Sequence, residues 1–450
     1  MERVYWPGRR LLSVFVLVCL WLPPLLAEAA TDLTVTVGQP GTTSTAMRLK
    51  LGICGAGAGS ADCARFVGML KHCLEWDDRF EVATDVMREL PTKKAEVTHL
   101  FDAGFDAAVF INFTSSDQPI EWRLYDTKPG EMVCGRRCAS SGYLKEAAYA
   151  IAARIMRELM AQEPPFLTQI AFIERDRPHR RSLLCLTDFD GESCQVLFLS
   201  PRIMVAPTWG KDPKNPLILL SEFTPSNVRF VGVDMVGNKY TVMDLDGTSV
   251  GLSYSPLSED VAYCRSGVIW GYHFDATTKK AEHRVLIDEG GLCAFPTLLG
   301  SGDIIYGSRG KIKLWDAAMQ KAKVLVGEGY NVAPAYSGAQ QKIVYSSRVR
   351  GTMQLFEYDM QTGKKRQLTC DRGNKVDPSW SPCGNYIAFC WELGRESRIA
   401  ILNCERGGYR YVTPKTRSCA FPSWSPVFEG LAFSAVRPSV RPSDFEGHSR

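Results

Sequence analysis

One motif that recurs through the second half of the chain constrains its fold more than any other feature. It is clearest at 377–390, where Asp-Pro-Ser-Trp-Ser-Pro-Cys-Gly is followed by Asn-Tyr-Ile-Ala-Phe-Cys. Proline and glycine favour a turn, whereas the β-branched and aromatic residues after them favour a strand. The motif therefore predicts a β-hairpin whose first strand ends in an aromatic residue.

The anchor residue of this motif returns at regular intervals. It is aromatic in five copies and leucine in one, at Trp209, Tyr254, Leu298, Tyr336, Trp380 and Trp424. The intervals are 45, 44, 38, 44 and 44 residues, and a repeat of roughly 40 to 45 residues is typical of a four-stranded propeller blade. Six copies predict a six-bladed β-propeller over 170–434, in which a strand near Trp424 completes the first blade. A further copy of the second strand at Leu431–Ser434 leaves seven blades as an alternative.

The region before the propeller has a different pattern. Residues 30–163 lack the repeat and alternate short apolar strands with amphipathic helices, the longest over about 142–161. Ser60 is placed to cap a helix that begins at Ala61. Two prolines after Glu163 end the last helix and predict a short linker over 164–169. The chain is therefore predicted to be multidomain, with a small N-terminal α/β domain followed by an all-β propeller.

Residues 1–29 have the pattern of a secretory signal peptide. Three arginines precede an apolar run at 11–22, and Ala27-Glu28-Ala29 is typical of a cleavage site. We expect cleavage near Ala29/Ala30 and export of the mature chain, with an uncleaved anchor as the alternative. No later segment is apolar over a length that crosses a membrane, and a net charge of +4 does not suggest a nucleic-acid partner. The proline-rich tail, 435–450, is predicted to be disordered.

The cysteines and histidines predict no metal or cofactor site. Six histidines are scattered, and no group of Cys or His has metal-ligand spacing. Export to an oxidising compartment makes disulfides possible. Cys185 and Cys194 flank a predicted turn at 188–191 symmetrically, so a symmetric hairpin would place them opposite each other. They are candidate disulfide partners, and structural or buried thiols are favoured over a catalytic cysteine.

Three short motifs are typical of enzymes or ion sites, but each has a simpler explanation. The glycine-rich stretch 55–60 has its third glycine one place early for a dinucleotide site, so it predicts a loop with a helix cap. A match to the nucleophile elbow around Ser249 lies between two strands, not before a helix. The Asp-x-Asp-Gly sequences at 188–191 and 244–247 lack the other ligands of a calcium loop and fit hairpin turns. No catalytic residue is predicted.

The overall organisation resembles the TolB family, periplasmic proteins of the Tol-Pal system of Gram-negative bacteria. The signal peptide, the α/β domain, the short linker and the six Pro-x-Trp-Ser-Pro and Ile-Ala-Phe blades carry the resemblance, together with the stretch 104–110. The resemblance implies a non-enzymatic periplasmic scaffold. Such a protein binds a Pal-type peptidoglycan-associated lipoprotein and a TolA-type inner-membrane protein. It thereby links both membranes and peptidoglycan for envelope integrity and for outer-membrane constriction in cell division.

The resemblance also indicates where partners would bind. It assigns the TolA-type contact to the N-terminal segment of the mature chain, comprising Asp32, Leu33, Thr34, Val35, Thr36 and Val37. We expect the Pal-binding face to consist of the loops that enter the inner strands, because functional residues are often on loops held by a rigid scaffold. These loops are placed around Val205, Ser249, Cys293, Asn331, Val376 and Ala420.

An exported β-propeller lyase or hydrolase acting on polysaccharide or peptide is the alternative. Such an enzyme would place a histidine with a carboxylate partner in the central channel. His273 and His283 are the candidates, and we expect both to be peripheral because each lies outside the inner-strand motif. The chain departs from the family pattern in its degenerate third and fourth blades, its 15 cysteines and its continuation past Pro426.

Overall fold

The computed structural model describes residues 46–76, 78–138, 143–210, 216–245, 249–254, 260–275 and 280–427. Over these residues one five-stranded sheet with helices precedes six four-stranded sheets arranged as propeller blades. The predicted fold class, an α/β unit followed by a six-bladed β-propeller, is confirmed. The signal peptide, the segment 32–37, the extra strand copy at 431–434 and the tail lie outside the described residues.

The α/β unit is built on a mixed sheet. The strand order is β2-β1-β3-β4-β5, with β1 parallel to both β2 and β3 and the other pairs antiparallel. The strands are β1 Met47–Cys54, β2 Phe80–Val86, β3 Ala107–Asn112, β4 Ile120–Asp126 and β5 Glu131–Cys138. The helices are α1 Ala61–Glu75, α2 Lys94–Asp102 and α3 Leu144–Met160.

Alternation along the central strands decides which helix covers which face of this sheet. In β3, Val109 belongs to the large core formed with α1 and α3, whereas Phe110 belongs to a smaller core with Val97 of α2. Successive side chains of a strand point to opposite faces, so both faces of the sheet are covered. The Ser60 side chain accepts the backbone N–H of Cys63 at 3.2 Å and caps α1, as predicted.

Each blade is a four-stranded antiparallel meander. Blade 1 contains β6 Gln169–Asp176, β7 Arg181–Asp188 and β8 Cys194–Ser200; blade 2 contains β9 Met204–Trp209, β10 Leu217–Phe223, β11 Val228–Asp234 and β12 Lys239–Leu245. Blade 3 contains β13 Ser249–Tyr254, β14 Val261–Arg265, β15 Val268–Asp275 and β16 Lys280–Ile287; blade 4 contains β17 Cys293–Leu298, β18 Ile304–Ser308, β19 Lys311–Asp316 and β20 Lys321–Val326. Blade 5 contains β21 Asn331–Ser337, β22 Lys342–Val349, β23 Thr352–Asp359 and β24 Lys365–Gln367; blade 6 contains β25 Asn374–Trp380, β26 Tyr386–Leu393, β27 Glu396–Asn403 and β28 Tyr409–Tyr411.

The inner strand of blade 1 comes from the far end of the propeller sequence. The strand β29, Cys419–Trp424, pairs antiparallel with β6, and the sheet order is β29-β6-β7-β8. Beyond it, the Ser425 N–H donates to the Gln169 carbonyl at 2.8 Å, and the Ser425 hydroxyl accepts the Gln169 N–H at 2.9 Å. The predicted ring closure near Trp424 is confirmed, and so is the count of six blades.

The repeated Ser-Trp pair connects neighbouring blades. The indole N–H of Trp380 donates to the Ala335 carbonyl of blade 5 at 3.1 Å. On the other side, the Ser379 hydroxyl accepts the backbone N–H of Trp424 from blade 1 at 2.9 Å. Leu298, which replaces the aromatic anchor in blade 4, keeps the second type of contact, because its N–H donates to the hydroxyl of Ser253 at 2.8 Å. The motif therefore holds the ring of inner strands together.

Phe189, in the turn between β7 and β8, is the centre of an apolar contact between the propeller and the α/β unit. It is fully buried. Its ring centroid lies 5.0 Å from Trp76, 5.3 Å from Tyr149 and 5.0 Å from Phe166. Aromatic rings at these separations add favourable edge-to-face contacts to the gain from burial. The turn that the sequence predicted as a simple hairpin connection is thus part of the interdomain core.

Asp190, next to this cluster, forms its polar part. The Asp190 carboxylate accepts the Tyr149 hydroxyl at 3.0 Å and lies 3.4 Å from Nε2 of His72. This contact with Asp190 raises the pKa of His72 against the effect of burial. Burial would raise the pKa of Asp190, but contacts with His72, the Glu192 amide and Tyr149 outweigh burial and lower it. Lys145 forms a further ion pair with Asp188.

Candidate docking face

The propeller face at which the inner strands begin, called here the upper face, carries two sets of loops. One set enters the inner strands, and the other consists of the turns between the second and third strands of each blade. Backbone hydrogen bonds join the sets: Cys293 N–H donates to the Gly267 carbonyl at 2.8 Å, and Asn331 N–H donates to the Gly310 carbonyl at 3.0 Å. Phe189, in a turn between third and fourth strands, places the α/β unit against the opposite, lower face. The described residues leave the upper face uncovered.

The positions predicted for partner contact lie at or near the starts of the inner strands, as expected, but most of their side chains point inward. The exposed fractions are 7% for Val205, 2% for Cys293, 1% for Asn331 and 7% for Ala420, and Val376 is half-buried. Ser249 begins β13, and its side chain is not among the described ones. The Asn331 amide donates to the carbonyls of Gly310 and Glu328 at 3.0 and 2.7 Å, so it fixes the loop.

Exposed apolar side chains occupy the position immediately before three inner strands. Ile203 precedes β9 and is 58% exposed, Leu292 precedes β17 and is 40% exposed, and Tyr330 precedes β21 and is 38% exposed. Arg348, near the end of β22 in the same blade, lies with its guanidinium carbon 4.6 Å from the Tyr330 ring centroid. Apolar side chains clustered at the same end of a scaffold are typical of protein-binding surfaces. Sequence reasoning missed them by one or two positions.

Exposed arginines occupy the turns between second and third strands in four consecutive blades. They are Arg309 in blade 4, Arg350 in blade 5, Arg395 in blade 6, and Arg177 and Arg180 in blade 1. The described part of the chain provides no ion pair for any of the five.

The acidic residues of the upper face are largely neutralised by other basic side chains. The pairs are Glu174 with Arg417, Asp176 with Arg181, Glu222 with Lys239, Glu289 with Lys313, and Glu396 with Lys415. Asp288 and Glu328 remain exposed. Among the described residues, the balance of charge on this face is therefore positive, which the overall charge of +4 does not reveal.

The central channel forms a cavity of about 550 Å³ lined by the six inner strands. Its walls bulge, because a residue with φ between 51° and 56° precedes a proline in five of the strands, at Ala206, Phe295, Ala333, Asp377 and Phe421. Among the lining residues Asp377 is the only one with a charged side chain, and no histidine or cysteine is among them. Burial and the nearby Glu392 carboxylate raise the pKa of Asp377 to about 7, against the opposing charge of Arg175.

The two histidines considered for an enzymatic channel lie elsewhere. His273 is on the third strand of blade 3, with Nδ1 2.7 Å from an Asp260 carboxylate oxygen, and about half of its side chain is exposed. His283 is on the fourth strand, with Nδ1 3.1 Å from the Tyr263 hydroxyl. Neither lines the channel. Both positions agree with the expectation that these residues are peripheral.

Cys185 and Cys194 are close together at the seam between blades 1 and 6, as free thiols. The β7–β8 ladder has a register shift and pairs Cys194 with Thr187, so the two cysteines are diagonal neighbours and not directly opposite, contrary to the symmetric hairpin expected. The guanidinium of Arg417 lies 2.9 Å from the Cys194 sulfur and 3.4 Å from that of Cys185. The hydrogen bond from Cys185 and the charge of Arg417 lower the pKa of Cys194 to about 7, although burial opposes the shift.

Two classes of site receive no support within the described ranges. No three His, Cys, Asp or Glu side chains there are grouped so that they could hold a metal ion. None of the described helices combines the length and the hydropathy that a membrane span needs.

Comparison with known proteins identifies the architecture. No protein-family model matches the chain. The crystal structure of TolB from Acinetobacter baumannii aligns with a TM-score of 0.72 and 20% identity, over 87% of this chain and 99% of that chain. A putative TolB from Agrobacterium tumefaciens aligns over 58% of this chain and 99% of that chain, at 16% identity and a TM-score of 0.42. The first likeness shows that the chain is TolB-like in fold, as its sequence pattern indicated.

Proposed function

We propose that this protein is a non-enzymatic periplasmic scaffold of a TolB-like Tol-Pal system. The upper face would dock a Pal-type peptidoglycan-associated lipoprotein, and the segment 32–37 would contact a TolA-type inner-membrane protein. Together these contacts would link the inner membrane, peptidoglycan and outer membrane for envelope integrity and constriction. The observation that carries the proposal is a TolB-like propeller whose upper face is left uncovered by the described residues and combines exposed apolar and basic side chains.

The chemistry of the channel supports a role in binding. Ser253 and Ser379 accept backbone N–H groups of the next blade, so their hydroxyls stabilise the ring. Asp377 is the only charged lining residue, and the carboxylate that helps to raise its pKa, Glu392, is not among the lining residues. Apart from tyrosines, the lining therefore offers no second ionisable group to act with Asp377 as a matched acid or base. The alternative of a lyase or hydrolase is not favoured, because the candidate histidines lie outside the channel.

Export is part of the same proposal. The expected signal peptide, cleaved near Ala29/Ala30, would deliver the mature chain to the periplasm. The free amino terminus would then lie directly before the TolA-contact segment 32–37. N-terminal sequencing of the secreted chain tests the cleavage position, and a chain retained with its first 29 residues would contradict it.

The docking proposal is tested with the soluble domain of the Pal-type lipoprotein encoded in the same genome. Isothermal titration calorimetry should show binding to the mature chain, and Ile203→Ser combined with Leu292→Ser should weaken it by about tenfold or more. The control is Met319→Ser, which likewise replaces an exposed apolar side chain by serine, but on the lower face, where Met319 is 76% exposed. No binding by the wild type, or equal losses for control and test variants, would overturn the proposal.

The TolA-type contact is tested separately. Deletion of 32–37 should abolish binding of the periplasmic domain of the TolA-type protein while leaving the affinity for the Pal-type domain unchanged. Unchanged affinity for the TolA-type domain would remove that segment from the proposal.

A further inference from the structure

The exposed arginines in blades 4, 5, 6 and 1 form a continuous arc around one side of the channel mouth. The arc comprises Arg309, Arg350, Arg395, Arg177 and Arg180, and is called here the arginine arc. We propose that the arginine arc recognises a protein partner through surface carboxylates of that partner. This inference rests on the proposed docking at the upper face and specifies the chemistry of the partner there.

The backbone of these turns does not itself favour arginine. Arg180, Arg309 and Arg350 have φ angles of 53°, 52° and 49°, in the left-handed region. Glycine and asparagine populate that region most readily, whereas a long side chain there costs free energy. The corresponding turn of blade 3 has the same geometry with Ser266, whose φ is 50°. The fold therefore forms this turn without an arginine.

The two-residue turns of blades 4 and 5 show this most clearly. Arg309 is followed by Gly310 with φ of 72°, and Arg350 by Gly351 with φ of 85°. Consecutive positive φ angles define the hairpin turn for which Asn-Gly is the preferred sequence. An arginine at the first position supplies a charge that turn formation does not require. We infer that the charge serves an interaction outside the chain.

The remaining contents of the upper face favour a protein over a polyanion such as nucleic acid. Ile203, Leu292 and Tyr330 lie nearer the channel mouth than the arginine arc, because each directly precedes an inner strand. An apolar centre with a charged rim is the usual composition of a protein interface. The guanidinium group pairs with a carboxylate through two parallel hydrogen bonds, which adds geometric specificity. The partner that fits is a protein with an apolar contact surrounded by Asp and Glu side chains.

The test exploits the turn geometry. The double variant Arg309→Asn, Arg350→Asn should have an unchanged or higher Tm, because both turns become Asn-Gly. Its affinity for the soluble Pal-type domain should fall by about tenfold. Wild-type affinity should also fall steeply between about 50 and 500 mM NaCl, and less steeply for the variant. The matched control is Lys321→Asn, which removes one exposed charge from the lower face and should bind as the wild type does.

The outcomes separate this inference from the proposed function. If the Pal-type domain binds wild type and double variant equally, the arginine arc is not a recognition element, while the docking proposal survives. If that domain does not bind, but an oligoglutamate peptide binds the wild type and not the double variant, the inference that the arginine arc recognises carboxylates is supported and the proposed function is contradicted. Equal binding of the peptide to both proteins, or arginine-dependent binding only to phosphatidylglycerol vesicles, would overturn the inference.

Discussion

Replacement of Trp424 by alanine should test whether the ring depends on its closing strand. The Trp424 side chain is 6% exposed, and its indole N–H donates to the Thr168 hydroxyl at 2.7 Å. Its ring lies 6.4 Å from that of Tyr386 in blade 6. Loss of a buried tryptophan side chain typically costs about 3 to 5 kcal/mol, since contacts are lost and a cavity remains. Because β29 contributes to blade 1 and touches blade 6, the loss should affect global unfolding.

Two milder variants divide this free energy into its parts. Trp424→Phe keeps most of the ring and removes the N–H donor, so we expect a loss of about 1 to 2 kcal/mol. Thr168→Val removes the acceptor and leaves the indole N–H without its partner, which should cost about 1 to 3 kcal/mol. The hydroxyl of Thr168 also donates to the Pro165 carbonyl at 2.5 Å, so its removal affects two hydrogen bonds.

The measurement is urea unfolding together with thermal unfolding of each variant. A loss of about 3 to 5 kcal/mol corresponds to a decrease in Tm of roughly 3 to 6 °C for a chain of this size. The control is Tyr240→Ala, because that aromatic side chain is 51% exposed on the outer strand of blade 2 and should change stability by less than about 1 kcal/mol. Equal effects of Trp424→Ala and the control would refute the argument that β29 closes the ring.

Three further predictions concern other parts of the molecule. Because the pKa of His72 is raised in the folded protein, its contribution to the free energy of unfolding is complete below about pH 6.5 and is lost as the pH rises through the raised value. The pKa of Asp190 is lowered, so the contribution of Asp190 is lost only as the pH falls through that lowered value. His72→Gln should therefore lower Tm more at about pH 5.5 than at about pH 8.5, and equal shifts at both would contradict the ion pair. Cys194, with a pKa of about 7, should react with iodoacetamide with a midpoint near that pH in a mass-spectrometric assay, and a midpoint near 8.5 would contradict the assigned environment. Gly267→Ala would place a Cβ 1.8 Å from the Gly291 carbonyl oxygen and should lower the free energy of unfolding in urea by at least about 2 kcal/mol. The control is Gly394→Ala, whose Cβ would meet nothing within 4 Å and which should cost clearly less. Equal costs for the two variants would contradict the close approach at Gly267.

The strands, the blade count and the ring closure were predictable because their signals are local and repeated. Proline, glycine and the aromatic anchor favour each inner hairpin, and the regular spacing of the six copies makes the blade repeat detectable even where a single copy is degenerate. The cap at Ser60 and the helix start at Ala61 were predicted to the residue because the capping signal is also local. The interdomain seam was not predicted. The turn at 188–191 satisfies turn rules by itself, and nothing local shows that Phe189 and Asp190 are buried against another unit.

The candidate docking face was predicted in place but not in detail. The period of the repeat identifies the loops that enter the inner strands, but it does not determine which residue of each loop is exposed. Cys293 and Asn331 are buried, whereas Leu292 and Tyr330 immediately before them are exposed. The arginine arc was missed for another reason. Its significance depends on backbone angles, which show that the turns form without arginine, and the sequence alone does not contain those angles.

Within each repeat, the contacts that join the blades involve different residues from the loops of the upper face. This separation explains how a TolB-like fold is kept at 20% identity. The indole groups that join blades donate to main-chain carbonyls, as Trp380 does to Ala335 and Trp209 does to Ser423. Every residue type supplies such an acceptor, so the ring constrains few side chains of the neighbouring blade. The loops of the upper face take no part in these contacts. Their exposed side chains can therefore differ without loss of the ring, whereas a buried one such as Asn331 holds its own loop in place. Under the proposed function, these exposed side chains would select the partner.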